Sequence, residues 1–219
     1  MTVSDIFAEV DEDLRAERAR KLLQKYGGVL IAAALVVIAA TGAWQAWSYY
    51  QAKETARVAQ VFLTAMREAS TQAAADRTAA LAGLDQVARE GASGYRALAR
   101  LRAAAIRFDA GERDIALALW DQVSADSGVD PLLRDLATLQ FVWHQIDTGT
   151  PADLRARLAR ITAPENPWRP LAEEAQALLE LREGHKDAAR DLLKRLAQDQ
   201  QAPDGVRGRA GGLLTRLGG

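Results

Sequence analysis

Apolar and polar positions follow two regimes along this chain. Every residue from Val29 to Ala40 is Val, Leu, Ile or Ala, inside a charge-free run from Tyr26 to Ala52 bounded by Lys25 and Lys53. As a helix rising 1.5 Å per residue, the run measures about 40 Å, enough to cross a hydrocarbon core of about 30 Å and both interfaces. After it, apolar residues recur every three or four positions among Ala, Leu, Arg, Glu and Gln, with almost no alternation, which predicts helices throughout.

The breaks in that second regime are Gly111, Gly149 and Gly184, each ending an apolar-periodic stretch. Pro131, Pro151 and Pro167 follow Asp130, Thr150 and Asn166 as a proline at the first helical position follows its cap. Helices are expected over 51–71, 77–90, 94–110, 112–126, 131–148, 151–162, 167–183, 185–200 and 204–217. The three glycines are 38 and 35 residues apart, and a weaker break near Ala75 lies 36 before Gly111. A period in this range marks stacked helix-turn-helix units.

Two units compare in detail. Leu101, Ala104, Ala105 and Phe108 before Gly111 resemble Ala177, Leu178 and Leu181 before Gly184, and Ala116, Trp120 and Val123 after it match Ala189, Leu193 and Leu196. Large apolar residues early in one helix, small ones at the crossing and an Ala early in the next let two helices pack closely, the arrangement tetratricopeptide repeats use. The match is imperfect: Glu174 stands where the earlier unit has Leu101, and the middle unit has Trp143 and Leu154 where small residues are expected. The last unit is interrupted by Gly205, Gly208, Gly211 and Gly212, with Arg207, Arg209 and Arg216 keeping it soluble. The fold class is therefore all-α: a single N-terminal transmembrane helix, then a tetratricopeptide-like stack of antiparallel helix hairpins, an α-solenoid. The divisions are a cytoplasmic amphipathic tail (1–25), a transmembrane helix (26–52) and a periplasmic repeat domain (53–219).

Charge sets the direction of the span. Arg15, Arg18, Arg20, Lys21 and Lys25 precede it, against Lys53 and Arg57 just after, so the N-terminus is expected in the cytoplasm. Trp44, Trp47, Tyr49 and Tyr50 at one end and Tyr26 at the other suit the headgroup layer. A cleaved signal peptide has a shorter leading region and apolar core than this chain, which favours a retained anchor. In the tail, Val3, Phe7, Val10 and Leu14 share one helical face. Two roles fit that face equally: docking on a partner, or a solvated helix whose basic end sets topology. Gly27, Gly28 and Gly42 leave open whether the span packs on another helix.

No catalytic, cofactor or metal site is expected. The two histidines, His144 and His185, fall in different units, and the chain has no Cys. Both histidines are assigned structural or solvated roles. Pairs such as Glu173 with Glu174 and the run Asp11, Glu12, Asp13 point in different directions on a helix and are assigned to solvated faces. Beyond Gln51 acidic and basic residues balance, which gives no reason to expect nucleic acid, and no small-molecule substrate is indicated. Trp120, Trp143 and Trp168 are expected mainly in packing, with Trp143 and Trp168 as candidates for lining a partner groove.

The opening SDIFAEVDEDLRAERARKLLQKYG, the apolar span and the GAWQAW segment resemble the ancillary SecYEG translocon subunit family, the YfgM-like membrane proteins, in its alphaproteobacterial form. Asp5, Ile6, Phe7, Glu9, Val10, Asp11, Glu12, Asp13 and Leu14 carry the resemblance most sharply. It implies a non-enzymatic, single-pass inner-membrane protein with a periplasmic repeat domain. The implied partners are SecYEG, a PpiD-type periplasmic chaperone and emerging exported proteins. The alternative is a structural accessory subunit of another inner-membrane complex, respiratory or cell-division.

Overall fold

A computed structural model describes the backbone of residues 3–71 and 73–218, and side chains from Gln24 onward except those of Leu30 and Ala74. All its regular elements are helices: α1 (Val3–Glu68), α2 (Ala74–Glu90), α3 (Ser93–Asp109), α4 (Arg113–Ala125), α5 (Pro131–Gln145), α6 (Pro151–Leu158), α7 (Arg169–Arg182), α8 (Lys186–Gln198) and α9 (Asp204–Arg216). The chain divides into two compact units, residues 1–56 and 57–219.

In the first unit the apolar run is helical and exposed; Gln24–Glu68 of α1 contains a stretch long and apolar enough to cross a membrane, none of it buried. Length and composition of this kind serve a membrane span and a signal sequence alike. No break separates the tail, the run and the helix expected from residue 51, since nothing between them stops helix propagation.

In the second unit each helix packs on its successor from α2 to α9, and α3, α5, α7 and α9 also pack on one another in series. These four form one layer, backed by α4, α6 and α8. Close approach comes from small residues: Ala97, Ala99, Ala103 and Ala104 of α3 are fully buried, as are Ala116 early in α4 and Ala189 early in α8. Larger residues fill the middle hairpin, where Leu154, Leu158 and Ile161 pack with Val142 and Leu179. Short hydrophobic clusters thus follow one another along the stack, as expected where each unit buries its face only against its neighbours.

The glycines end helices for different reasons. Gly111 and Gly184 adopt φ of +85° and +83°. At the first, Gly111 N–H donates to Phe108 O and Glu112 N–H to Arg107 O; at the second, Gly184 N–H donates to Leu181 O and His185 N–H to Glu180 O. This is the left-handed Schellman ending, which a Cβ penalises. Replacing Gly111 by alanine should cost about 1–2 kcal/mol in denaturant melts, although no atom lies within 4 Å of the added Cβ. Gly149 has no such φ. It is needed for close approach instead, since a Cβ there would meet Gln145 O at 3.1 Å and Leu154 Cδ1 at 3.2 Å.

Several expected boundaries move by a few residues, α2 starting at Ala74 and α5 ending at Gln145 among them, and those of α6 and α7 have a visible cause. Helix α6 stops at Leu158 instead of residue 162, and turns follow. Pro164 has no N–H for the next helical bond and crowds the preceding residues, so the chain turns early and drops Ile161 into the core. Helix α7 begins at Arg169, so Pro167 is not its first residue; Asn166 Oδ1 accepts from Trp168 N–H at 2.9 Å, and Pro170 occupies the first turn instead. Asp130 caps α5 as expected, accepting from Leu132 N–H at 2.8 Å, whereas the Thr150 side chain makes no cap hydrogen bond at α6.

Candidate functional site: the helix layer and its aromatic cavity

Arginines join neighbouring hairpins across the stack. Arg102 donates to Ala69 O at 3.3 Å just past the end of α1, and Arg182 donates to Ile146 O at 2.6 Å and Gly149 O at 2.7 Å just past α5. Carbonyls at a helix C-terminus lack intrahelical partners and carry the negative end of the dipole, so guanidinium groups suit them doubly. Arg113 reaches the other side of the α5 end, donating to His144 O and to Thr148 Oγ1.

Carboxylates are drawn into the same scheme, which corrects the assignment of Glu173 and Glu174 to a solvated face. Glu174 is only 2% exposed. Arg209 of α9 holds it from two sides, Nε to Oε1 and Nη2 to Oε2, each at 2.6 Å. Glu173 pairs with Arg169 at 3.1 Å. Arg169 also binds Asp199, whose carboxyl is held below its usual range first by Gln201 N–H and then by Arg169. Asp135 is likewise buried, with Arg160 Nη2 at 2.5 Å and Asn166 Nδ2 at 2.7 Å. Arg209, expected to serve solubility, is thus part of the fold.

Glu180, Glu183 and His185 bring three groups able to ligate a metal, two carboxylates and an imidazole, within 4.8 Å of one another. Arg155 already bonds both glutamates. Burial pushes the Glu180 carboxyl up, but hydrogen bonds from His185 and Arg155 outweigh it and hold it below its ordinary value. With Arg155 the trio forms a polar bridge between α6 and the α7–α8 turn.

Between α3, α4 and α5 the layer opens into a cavity of about 140 Å³. Its walls are Phe108, Trp120 and His144, its apolar lining includes Leu101, Ala105 and Leu136, and Asp109 and Gln140 add polar groups. The His144 ring stacks on Trp120 with centroids 4.7 Å apart and planes within 6°, and it lies 3.9 Å from the Phe108 centroid. Burial, and then the charge of Arg113, push the His144 imidazole below its ordinary value, while Asp109 pulls the other way. Its folded-state pKa therefore lies under its unfolded one, so unfolded chains bind a proton that folded chains refuse. Stability falls as pH drops below about 6.5 and levels off once the folded imidazole titrates. His144→Gln should flatten that part of the profile in urea melts taken across the window.

The other sequence-selected residues lie elsewhere. Trp143 and Trp168 are half-buried against the central cluster, and Trp168 Nε1–H donates to Leu132 O at 3.0 Å. Tyr26, Trp44, Trp47, Tyr49 and Tyr50 are all exposed on α1. The Lys25 ammonium sits 5.4 Å from the Tyr26 ring centroid. The side chains of Phe7, Val10, Leu14, Arg15, Arg18, Arg20 and Lys21 lie outside the described residues. Trp120 with His144 is the pairing sequence reasoning missed. The sequence placed Trp120 on an apolar face and left His144 structural or solvated, and nothing in it sets the two rings face to face.

A family model described as tetratricopeptide repeat-like domain matches residues 20–207. The chain belongs to that family. No curated protein and no solved structure matches it. Tetratricopeptide repeat-like domains are typically non-enzymatic scaffolds for protein–protein interaction, and here α3, α5, α7 and α9 are the helices through which alternate units touch.

Proposed function

We propose that this tetratricopeptide repeat-like protein is a membrane-anchored, non-enzymatic interaction protein of the bacterial inner membrane. Its N-terminus lies in the cytoplasm, its repeat domain in the periplasm, and it serves the Sec translocon by binding a periplasmic chaperone or exported chains as they emerge. The observation that carries this reading is the presence, in one chain, of an exposed apolar helix, the one such helix among the described residues, and a repeat stack. The basic residues before that helix support the orientation, and the resemblance of residues 4–27 to translocon accessories supports the partners, SecYEG and a PpiD-type chaperone.

Photocrosslinkers placed at Trp47 and at Gln140, followed by detergent extraction and pull-down, test the assignment. Recovery of SecY together with a periplasmic chaperone is the expected result. Recovery of a respiratory or division complex without Sec components would replace it with the structural-subunit reading. A reporter fused at Gly219 should be accessible to protease in spheroplasts, and protection there would reverse the topology.

A further inference from the structure

We propose that the cavity between α3, α4 and α5 is a side-chain pocket for an extended polypeptide, taking one ring-sized apolar side chain that is followed by a basic residue. This rests on the interaction reading above and specifies what the repeat face recognises.

The volume of about 140 Å³ suits one ring; an apolar cavity of about 150 Å³ accepts benzene. Protein interiors close such voids where side chains are free to move in. Here they are held apart. Trp120 is buried and braces His144 through the stack, and Arg113 ties the His144 carbonyl and the Thr148 hydroxyl at the end of α5. Leu101, Ala105 and Phe108 of α3 face Leu136, Gln140 and His144 of α5 across the opening, at the three- and four-residue spacing of aligned helix faces. The pocket is therefore built before anything enters it, with an aromatic wall and a few polar groups, the composition of a binding site.

Charge chooses the occupant. Asp109 is exposed beside the cavity and makes no ion pair among the described residues, whereas nearby Glu112 and Asp85 are both bound by Arg107. Arg113, the neighbouring cation, lies over the Phe108 ring and donates to the His144 carbonyl and the Thr148 hydroxyl, and makes no ion pair with Asp109. His144 is held toward its neutral form and adds no positive charge at neutral pH. The carboxylate is thus left to a cation on the incoming chain. The Gln140 amide, with both donor and acceptor, suits a peptide group of an extended backbone.

The test uses the full-length chain in detergent micelles and fluorescein-labelled hexapeptides read by anisotropy. Gly-Ser-Phe-Lys-Ser-Gly should bind about tenfold more tightly than its Phe→Ala version, from burial of the ring. It should bind about threefold more tightly than its Lys→Glu version, from one exposed charge pair. Ala105→Leu, which fills the cavity, should abolish the preference for Phe. Asp109→Asn, at an exposed position, should abolish the preference for Lys and leave that for Phe intact. Equal binding of the three peptides overturns the pocket, as does a preference for Phe that survives in a folded Ala105→Leu protein or a preference for Lys that survives Asp109→Asn. Crosslinking to Sec components reports on the proposed function alone, so the two readings fail separately.

Discussion

Arg209→Ala should destabilise the repeat unit by about 2–4 kcal/mol, and adding Glu174→Leu should restore most of the loss. Removing one member of a buried ion pair strands the other, at about 3–5 kcal/mol where both are fully buried. Glu174 is almost wholly buried, but the Arg209 side chain is 53% exposed, so water reaching the vacated site lowers the cost. The rescue follows from the same physics, because a buried pair replaced by apolar groups of similar volume is often neutral or better. The chain contains its own precedent: Leu101 occupies the corresponding place in the earlier hairpin. Urea melts followed by far-ultraviolet circular dichroism measure both variants. If Arg209→Ala melts with the parent, the carboxylate has another means of stabilisation and the pair is not what ties α9 to α7.

Substituting alanine for Gly208, Gly211 and Gly212 together should raise the stability of α9 by about 1.5–3 kcal/mol, since an interior helical glycine costs about 0.5–1 kcal/mol relative to alanine. Nothing lies within 4 Å of a Cβ built at any of the three, so no clash offsets the gain. Amide exchange separates this outcome from a general effect: protection should rise in α9 and stay unchanged in α3 and α4. Unchanged exchange in α9 would mean that the glycines answer a packing demand absent from this conformation. Val206 and Ala210 are the buried positions of this helix, joined to Leu193 and Leu196 of α8. Leu213, Leu214 and Leu217 pack against the same cluster, so α9 is held by an apolar face as well as by Arg209.

Helix positions were legible because their signals are local. Gly111 and Gly184 announced helix endings, Asp130-Pro131 announced a start, and the four-residue apolar spacing marked buried faces. The segment from Thr162 to Pro170 was less legible because Pro164, Asn166, Pro167 and Pro170 offer competing boundaries, and the Asn166 contacts that mark the one used, to Trp168 N–H and to the buried Asp135, are partly tertiary. Glu174 stood out as an anomaly against Leu101, yet its partner lies 35 residues away. That spacing is close to one repeat, but the apolar pattern that marks the repeats does not say which charged residues pair. The aromatic cavity escaped for a related reason. Phe108, Trp120 and His144 come from three helices, and each alone looks like ordinary packing; only the tertiary arrangement puts their rings around one space.

The reach of the arginines has a temporal consequence. The Ala69 and Ile146 carbonyls and the Glu174 carboxylate all take their donors from later in the chain, 33, 36 and 35 residues on. A chain delivered from its N-terminus therefore presents each of these acceptors before the group that satisfies it. Until the next hairpin arrives, the growing end carries an unsatisfied carbonyl or carboxylate that water must solvate. Folding would then advance as a ratchet, each arriving unit locking the one before it, and a chain halted midway would stop with one raw edge at its newest end.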